Sequence, residues 1–256
     1  MTDRIAACQF EPVTGDNAAN LETIRSIGSR LEDNVAFALF PELCVTGYDL
    51  DAIPDLAMSV PGPETDRLAD IAHEVGCPLA VGLPERADDR YFNTTVVVSG
   101  NGIEATYRKQ YPWGAEEEAF AAGERPVTVE TAAGRVGLCC CYDLNFPEVG
   151  LEYARRECDV LAVNAAWRTS YLDDWRLLSR TRALDGTYYV VAANHTGAQD
   201  GREHAGHSLV AGPDGQIQSE AATSRGAVSA RVAPNALERA RSRNPVRRTR
   251  LSRGDW

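Results

Sequence analysis

The sequence predicts an α/β fold in which mixed β-sheets are covered by helices. Two observations carry that prediction. Short apolar runs suited to buried strands alternate twice with segments of helical periodicity, and each round passes into the β-rich texture of hairpins. No linker or low-complexity segment divides the 256 residues, so one domain over 1–256 is expected.

In the first round, Arg4 to Phe10 and Val35 to Phe40 are apolar runs of strand length. Between them NAANLETIRSIGSRLED carries Leu21, Ile24, Ile27 and Leu31 at helical spacing. Thr65 to Val75 repeats the helical pattern, and Pro78 to Leu83 follows as a buried strand. Phe92 to Ser99 and Ile103 to Tyr107 then flank Gly100-Asn101-Gly102, a strong hairpin-turn signal.

The second round reads Val136 to Cys141 as strand, Glu148 to Arg156 as helix and Asp159 to Asn164 as strand. Asp173 to Leu184 follows as helix and Thr187 to Ala193 as strand. His207 to Ala211 returns to β texture before the turn Gly212-Pro213-Asp214-Gly215. The tail over 244–256, NPVRRTRLSRGDW, is basic and reads either as a solvated arm or as a segment packed on a partner subunit.

A net charge of -11 opposes phosphate backbones, which excludes nucleic acid and anionic membrane surfaces as expected partners. The acidic surplus with almost no lysine resembles proteins of salt-loving organisms, or reflects a codon bias toward arginine. No apolar run is long enough to span a bilayer and no signal peptide is evident, so a soluble, cytoplasmic protein is expected. Seven cysteines without framework spacing read as reduced thiols. Zinc-ligand spacing is absent, so neither a metal nor another cofactor is expected.

Three short stretches carry chemistry. In GLCCCYDLNFPE, Gly137 to Glu148, a buried strand ends in an elbow at Cys141 and enters a helix, whose dipole and free N–H groups would favour a thiolate there. Cys139 and Cys140 read as small buried hydrophobes. In FPELCVTGY, Phe40 to Tyr48, Glu42 directly follows a strand, where open α/β sheets place their sites; its plainer reading is a cap. In ATYRKQYPW, Ala105 to Trp113, Lys109 is the one lysine among 26 basic residues, beside an arginine that already supplies charge.

Together FPELCVTGY, YRKQYPW and CYDLNFPE resemble the three signatures of the nitrilase superfamily of carbon–nitrogen hydrolases, in order and spacing. Echoes in IAACQFEP, NAAW, RALDGTYYVVAANHTG and HAGHSLVAGPDG extend the resemblance over nearly the whole chain. It implies a four-layer α-β-β-α sandwich of two mixed β-sheets flanked by helices, pairing into a homodimer or a larger assembly. It also implies a Glu-Lys-Cys triad at Glu42, Lys109 and Cys141. A second glutamate, counted back from Phe120 and Gly123, falls on Glu116, with Glu117 and Glu118 adjacent and a shift of one left open. Two departures stand out. Asp185-Gly186 replaces the family's usual Glu-Asn, and Cys44 replaces a bulky apolar residue, a change expected at the pocket wall.

The implied reaction is hydrolysis of a small amide or N-carbamoyl compound through a thioester. Glu42 would act as base, and Lys109 with the Tyr142 N–H would hold the oxyanion. A compact ammonium suits a single oxygen between two carboxylates, and Arg108, one residue earlier on a strand, points to the opposite face. Trp113, Tyr142 and Trp167 are candidate pocket walls, although buried aromatics are commonly plain core. Arg168 is a candidate for a substrate carboxylate, or a surface charge. Two rivals remain: a true nitrilase, disfavoured because Tyr142-Asp143 replaces Trp-Glu after the nucleophile, and a non-catalytic metal-binding or interaction protein using His204 and His207.

Overall fold

The computed structural model describes residues 3–199 and 201–251. The first round builds β1 (Arg4–Gln9), α1 (Asn17–Gly28), β2 (Val35–Leu39), the short α2 (Ile53–Leu56) and α3 (Pro63–Val75). Strands β3 (Leu79–Ala87), β4 (Arg90–Ser99) and β5 (Gly102–Arg108) complete it. A single helical turn, α4 (Glu116–Ala119), and β6 (Thr128–Thr131) lead to the second round. That round is β7 (Gly134–Cys140), α5 (Pro147–Arg155), β8 (Val160–Ala165), α6 (Leu172–Gly186) and β9 (Tyr189–Asn194). The chain closes through β10 (Ala198–Gln199), β11 (Arg202–Glu203), β12 (Leu209–Ala211), β13 (Ile217–Glu220), β14 (Gly226–Arg231), α7 (Pro234–Arg243) and α8 (Val246–Leu251).

Two six-stranded mixed sheets result, ordered β14-β1-β2-β3-β4-β5 and β13-β12-β9-β8-β7-β6. In each, three central strands run parallel, joined by helical crossovers, and antiparallel strands flank them. Strand alternation then stacks the layers. On β1, Ile5 and Ala7 face the apolar cluster between the sheets, while Ala6 and Cys8 face the cluster under α1 and α3. On β7, Val136, Leu138 and Cys140 face the inter-sheet cluster, and Cys139 packs under α5 and α6 with Tyr153 and Trp175. The order is therefore helices, sheet, sheet, helices. Both Cys139 and Cys140 are core, and the strand ends before Cys141.

Local chemistry sets the boundaries. Asp16 caps α1 by accepting from the Ala19 N–H at 2.9 Å, Pro63 opens α3, and Gly76 ends it at φ 81°. The hairpin at Gly100-Asn101 joins β4 to β5 as expected. Thr187 and His207 lie outside the strands predicted to begin with them, each held at positive φ in the turn before its strand. β6, β13, β14 and α7 escaped the sequence reading because edge strands such as IQSE are half-buried and polar, and α7 buries only Leu237.

In the tail, Arg247 donates from Nε to Gly186 O and from a terminal nitrogen to Cys158 O, both at 2.6 Å within its own chain. Residues 252–256, the end of the tail read either as a solvated arm or as a segment packed on a partner, lie outside the described residues. Among the described residues no helix is long and apolar enough to cross a membrane.

Candidate active site

The carboxyl ends of the parallel strands in both sheets meet at one place. Glu42 lies in the turn after β2, and Lys109 directly follows β5. The turn carrying Glu42 rests on β3 at Gly82, where a Cβ would come within 2.5 Å of the Leu43 nitrogen and the Pro41 oxygen. Lys109 is fixed on both sides of its backbone. Its N–H donates to Asn93 O at 2.8 Å, and its carbonyl accepts from the Gly123 N–H at 2.7 Å. Gly123 is glycine because a Cβ there would strike the Arg108 carbonyl oxygen at 2.1 Å.

Lys109 Nζ donates to Glu42 Oε1 at 2.8 Å and to Glu116 Oε2 at 2.7 Å, and all three side chains are buried. Burial alone lowers the pKa of the ammonium. The two carboxylates outweigh that penalty and hold its pKa well above the usual lysine value. Glu116 is the glutamate at this position, while Glu117 and Glu118 are exposed. Its carboxylate also accepts from Tyr48 OH at 2.5 Å and from the Trp113 N–H at 2.7 Å.

The two oxygens of Glu42 have different surroundings. Oε1 accepts from Lys109 Nζ, from Asn93 Nδ2 at 2.7 Å and from the Cys140 thiol at 3.4 Å. Oε2 is buried and has no hydrogen-bond partner among the described residues. One oxygen therefore anchors the carboxylate while the other is unengaged.

Cys141 follows β7 at φ 49°, a left-handed backbone unusual for any residue but glycine, and opens a 3-10 turn over Cys141–Asn145. The thiolate expected from a helix dipole is not found. The α-helix α5 begins only at Pro147, and burial, reinforced by Glu42 and offset in part by Lys109, pushes the Cys141 thiol well above its ordinary pKa. The resting group is a neutral thiol, and its sulfur accepts from the Ala166 N–H.

Asp143 ties this turn to the lysine segment. Its buried carboxylate accepts from Tyr107 OH at 2.6 Å and the Cys140 N–H at 3.0 Å on one oxygen, and from the Tyr111 N–H at 2.8 Å on the other. Burial pushes its pKa up to about 6. From behind, Arg182 Nε donates to Leu144 O at 3.1 Å. Beside it Gly186 makes room for the Tyr188 ring, which a Cβ would overlap at 2.0 Å, so the Asp185-Gly186 departure is filled by an aromatic.

Cys141 reaches a pocket of about 170 Å³ whose walls include Trp113, Tyr142, Trp167, Arg168 and Tyr171. All three aromatic residues expected at the pocket are therefore found there. Arg168 lies 5.1 Å over the Trp113 ring and has no carboxylate partner among the described residues. Cys44, expected at the wall, is instead buried in the cluster under α1 and α3. The histidines of the HxxH stretch diverge. His204 donates from Nδ1 to Ala166 O at 3.1 Å, whereas His207 meets Glu220 and Arg176.

Asn93, Tyr48, Asp143 and His195 were not singled out from the sequence. Tyr48, Asp143 and His195 stand inside motifs quoted above, which is a usable signal. Asn93 sits within β4 and has no local signature.

The sequence matches the carbon–nitrogen hydrolase family over residues 4–242. Among curated relatives, the chloroplastic omega-amidase of Arabidopsis thaliana is 30% identical over 98% of this chain and 72% of its own length. Among solved structures, Nit3 of Saccharomyces cerevisiae, described as a member of branch 10 of the nitrilase superfamily, superposes with a TM-score of 0.89 at 25% identity, covering 96% of this chain and 95% of its own. The amidase of Nesterenkonia sp. AN1, in a form where acrylamide has added to its active-site cysteine, gives a TM-score of 0.84 at 26% identity over 94% of this chain and 97% of its own.

Proposed function

This chain belongs to the carbon–nitrogen hydrolase family, and from that premise we propose that it hydrolyses a small amide or N-carbamoyl compound through a thioester on Cys141. The observation that carries this reading is the unequal pair of oxygens on Glu42, with Oε1 anchored and Oε2 buried without a partner among the described residues, in a chain where Glu42 helps to keep the Cys141 thiol neutral. Glu42 Oε2 takes the thiol proton as the Cys141 sulfur attacks the carbonyl carbon, and passes it to the leaving nitrogen as the C–N bond breaks. Water, deprotonated by the same oxygen, then attacks the thioester, releasing the carboxylic acid and returning the proton to sulfur. Ammonia or an amine is the other product.

Lys109 and the Tyr142 N–H carry the charge that develops on the carbonyl oxygen; one such donor is typically worth about 3–4 kcal/mol. Glu116 acts through Lys109, fixing its ammonium. Trp113, Tyr142 and Trp167 flank the acyl group, and the unpaired guanidinium of Arg168 suits an acyl chain that ends in an anion.

The test is ammonia release from matched amide, N-carbamoyl and nitrile substrates, with acid quench and mass spectrometry to trap the acylated Cys141. Turnover of amides or carbamoyl compounds with an acyl adduct on Cys141 supports the reading. Acid formed from nitriles alone, or turnover that survives Cys141→Ala, overturns it.

A further inference from the structure

The proposed base and nucleophile stand on different sheets. Glu42 follows β2 in the first sheet, and Cys141 follows β7 in the second. A buried side chain joins the second sheet to the main chain of the base. His195, the residue directly after β9, donates from Nε2 to the main-chain oxygen of Glu42. Its own backbone is held within the second sheet's end, where its N–H donates to Ala165 O at 3.2 Å and its carbonyl accepts from the Gly206 N–H at 2.8 Å.

Because its partner is a carbonyl, His195 Nε2 must carry the proton, and Nδ1 keeps the lone pair. Burial pushes its pKa down to about 4, so the ring is neutral near pH 7. His204 repeats the arrangement. Its Nδ1 donates to Ala166 O, its Nε2 is buried without a partner among the described residues, and the two rings lie 5.0 Å apart. Ala166 is the residue whose N–H meets the Cys141 sulfur. What the His195 imidazole supplies is one directed donor to the loop that carries the base.

We propose that His195 is a positioning residue that, through the Glu42 carbonyl, sets the spacing between the Glu42 carboxylate and the Cys141 sulfur. This rests on the roles assigned above to Glu42 and Cys141. Loss of the donor loosens the Glu42 turn against the second sheet, which then holds Glu42 only through the Cys140 thiol among the hydrogen bonds described, so proton transfer from the Cys141 thiol slows while the pocket, whose walls do not include His195, is unchanged.

Three variants separate reach from polarity. His195→Gln places an amide N–H near the position of Nε2, His195→Asn carries the same amide one methylene short, and His195→Phe fills the space without a donor. The readouts are the rate of iodoacetamide labelling of Cys141, kcat and KM for an amide substrate, and the melting temperature. Labelling and kcat in His195→Asn and His195→Phe are expected to fall at least 10-fold with KM within threefold, and His195→Gln to stay within threefold of the unmodified chain. A folded Asn or Phe variant at the full labelling rate overturns the proposal, as does a folded Gln variant as slow as Asn. Should the variants not fold, ¹⁵N imidazole spectra of the unmodified chain decide: a proton on Nε2 of His195 supports the assignment, and one on Nδ1 alone overturns it. Labelling needs no amide turnover, so a chain whose labelling depends on His195 but which hydrolyses no amide sinks the amide reading and leaves this one standing.

Discussion

Arg108 and Lys109, adjacent in sequence, serve carboxylates on opposite faces of the chain. Arg108 makes a bidentate pair with Glu85 at 2.8 and 2.6 Å while also lying 3.8 Å over the Phe92 ring. Lys109 turns inward to Glu42 and Glu116. Strand alternation enforces the division, so neither cation can take the other's place.

Lys109→Arg is therefore expected to fold and to lose at least 100-fold in turnover. A planar guanidinium in a site measured for one ammonium nitrogen displaces substrate or misaligns its own fork. Steady-state kinetics beside a thermal melt check this, and near-normal kcat in the variant contradicts it.

Neighbouring glutamates should behave unlike one another. Glu116→Gln removes one of the two charges that hold the Lys109 ammonium and is expected to lower kcat by about 100-fold, the scale of one misplaced oxyanion donor. Glu117→Gln, on an exposed carboxylate, is expected to leave kcat within twofold. Equal effects from both substitutions would remove Glu116 from the proposed machinery.

Acid should weaken the fold. The pKa values of His195 and His204 are lowered by burial to about 4 and about 3, so between those values and the unfolded value of 6.5 only the unfolded chain binds the protons. Stability is then fully present above pH 6.5 and is lost as pH falls. Asp143, raised to about 6, works the other way, because the folded chain holds its proton better. The two histidines outweigh it, giving a net loss of roughly 2 kcal/mol between pH 7 and pH 5. Urea unfolding at the two values measures this, and His204→Asn, which keeps a donor toward Ala166 but does not titrate, is expected to flatten most of the slope.

Arg168→Met should separate substrates by charge. It retains the apolar contact with Trp113 and removes the free guanidinium, so kcat/KM for amides whose acyl chain ends in a carboxylate is expected to fall about 10- to 100-fold, the worth of a charge-assisted hydrogen bond. Neutral amides of the same length should change by less than threefold. A uniform loss across both sets would place Arg168 in a structural role.

Much of this site was legible because its key residues stand directly after buried strands, where apolar runs give way abruptly to a charged or reactive side chain. Cys141 draws notice that way and Lys109 as the one lysine kept among arginines, whereas Glu42 alone reads as a cap, and it is the resemblance of three motifs in order that groups the three. The residues that hold these groups were harder to read. Asn93 looks like any polar strand position, His195 like a turn residue, and Cys44 like a pocket residue although it packs in the core.

By itself, the sequence determined the alternation of strands and helices and the order of the reactive residues, because buried strands and helix faces write their period into local composition. Only the tertiary structure decided that Glu116 rather than its neighbour meets the lysine, that the Cys141 thiol rests neutral, and that one oxygen of Glu42 has no partner among the described residues. These depend on contacts between segments far apart in the chain and on how much water each group loses, and neither quantity is a property of any local stretch of residues.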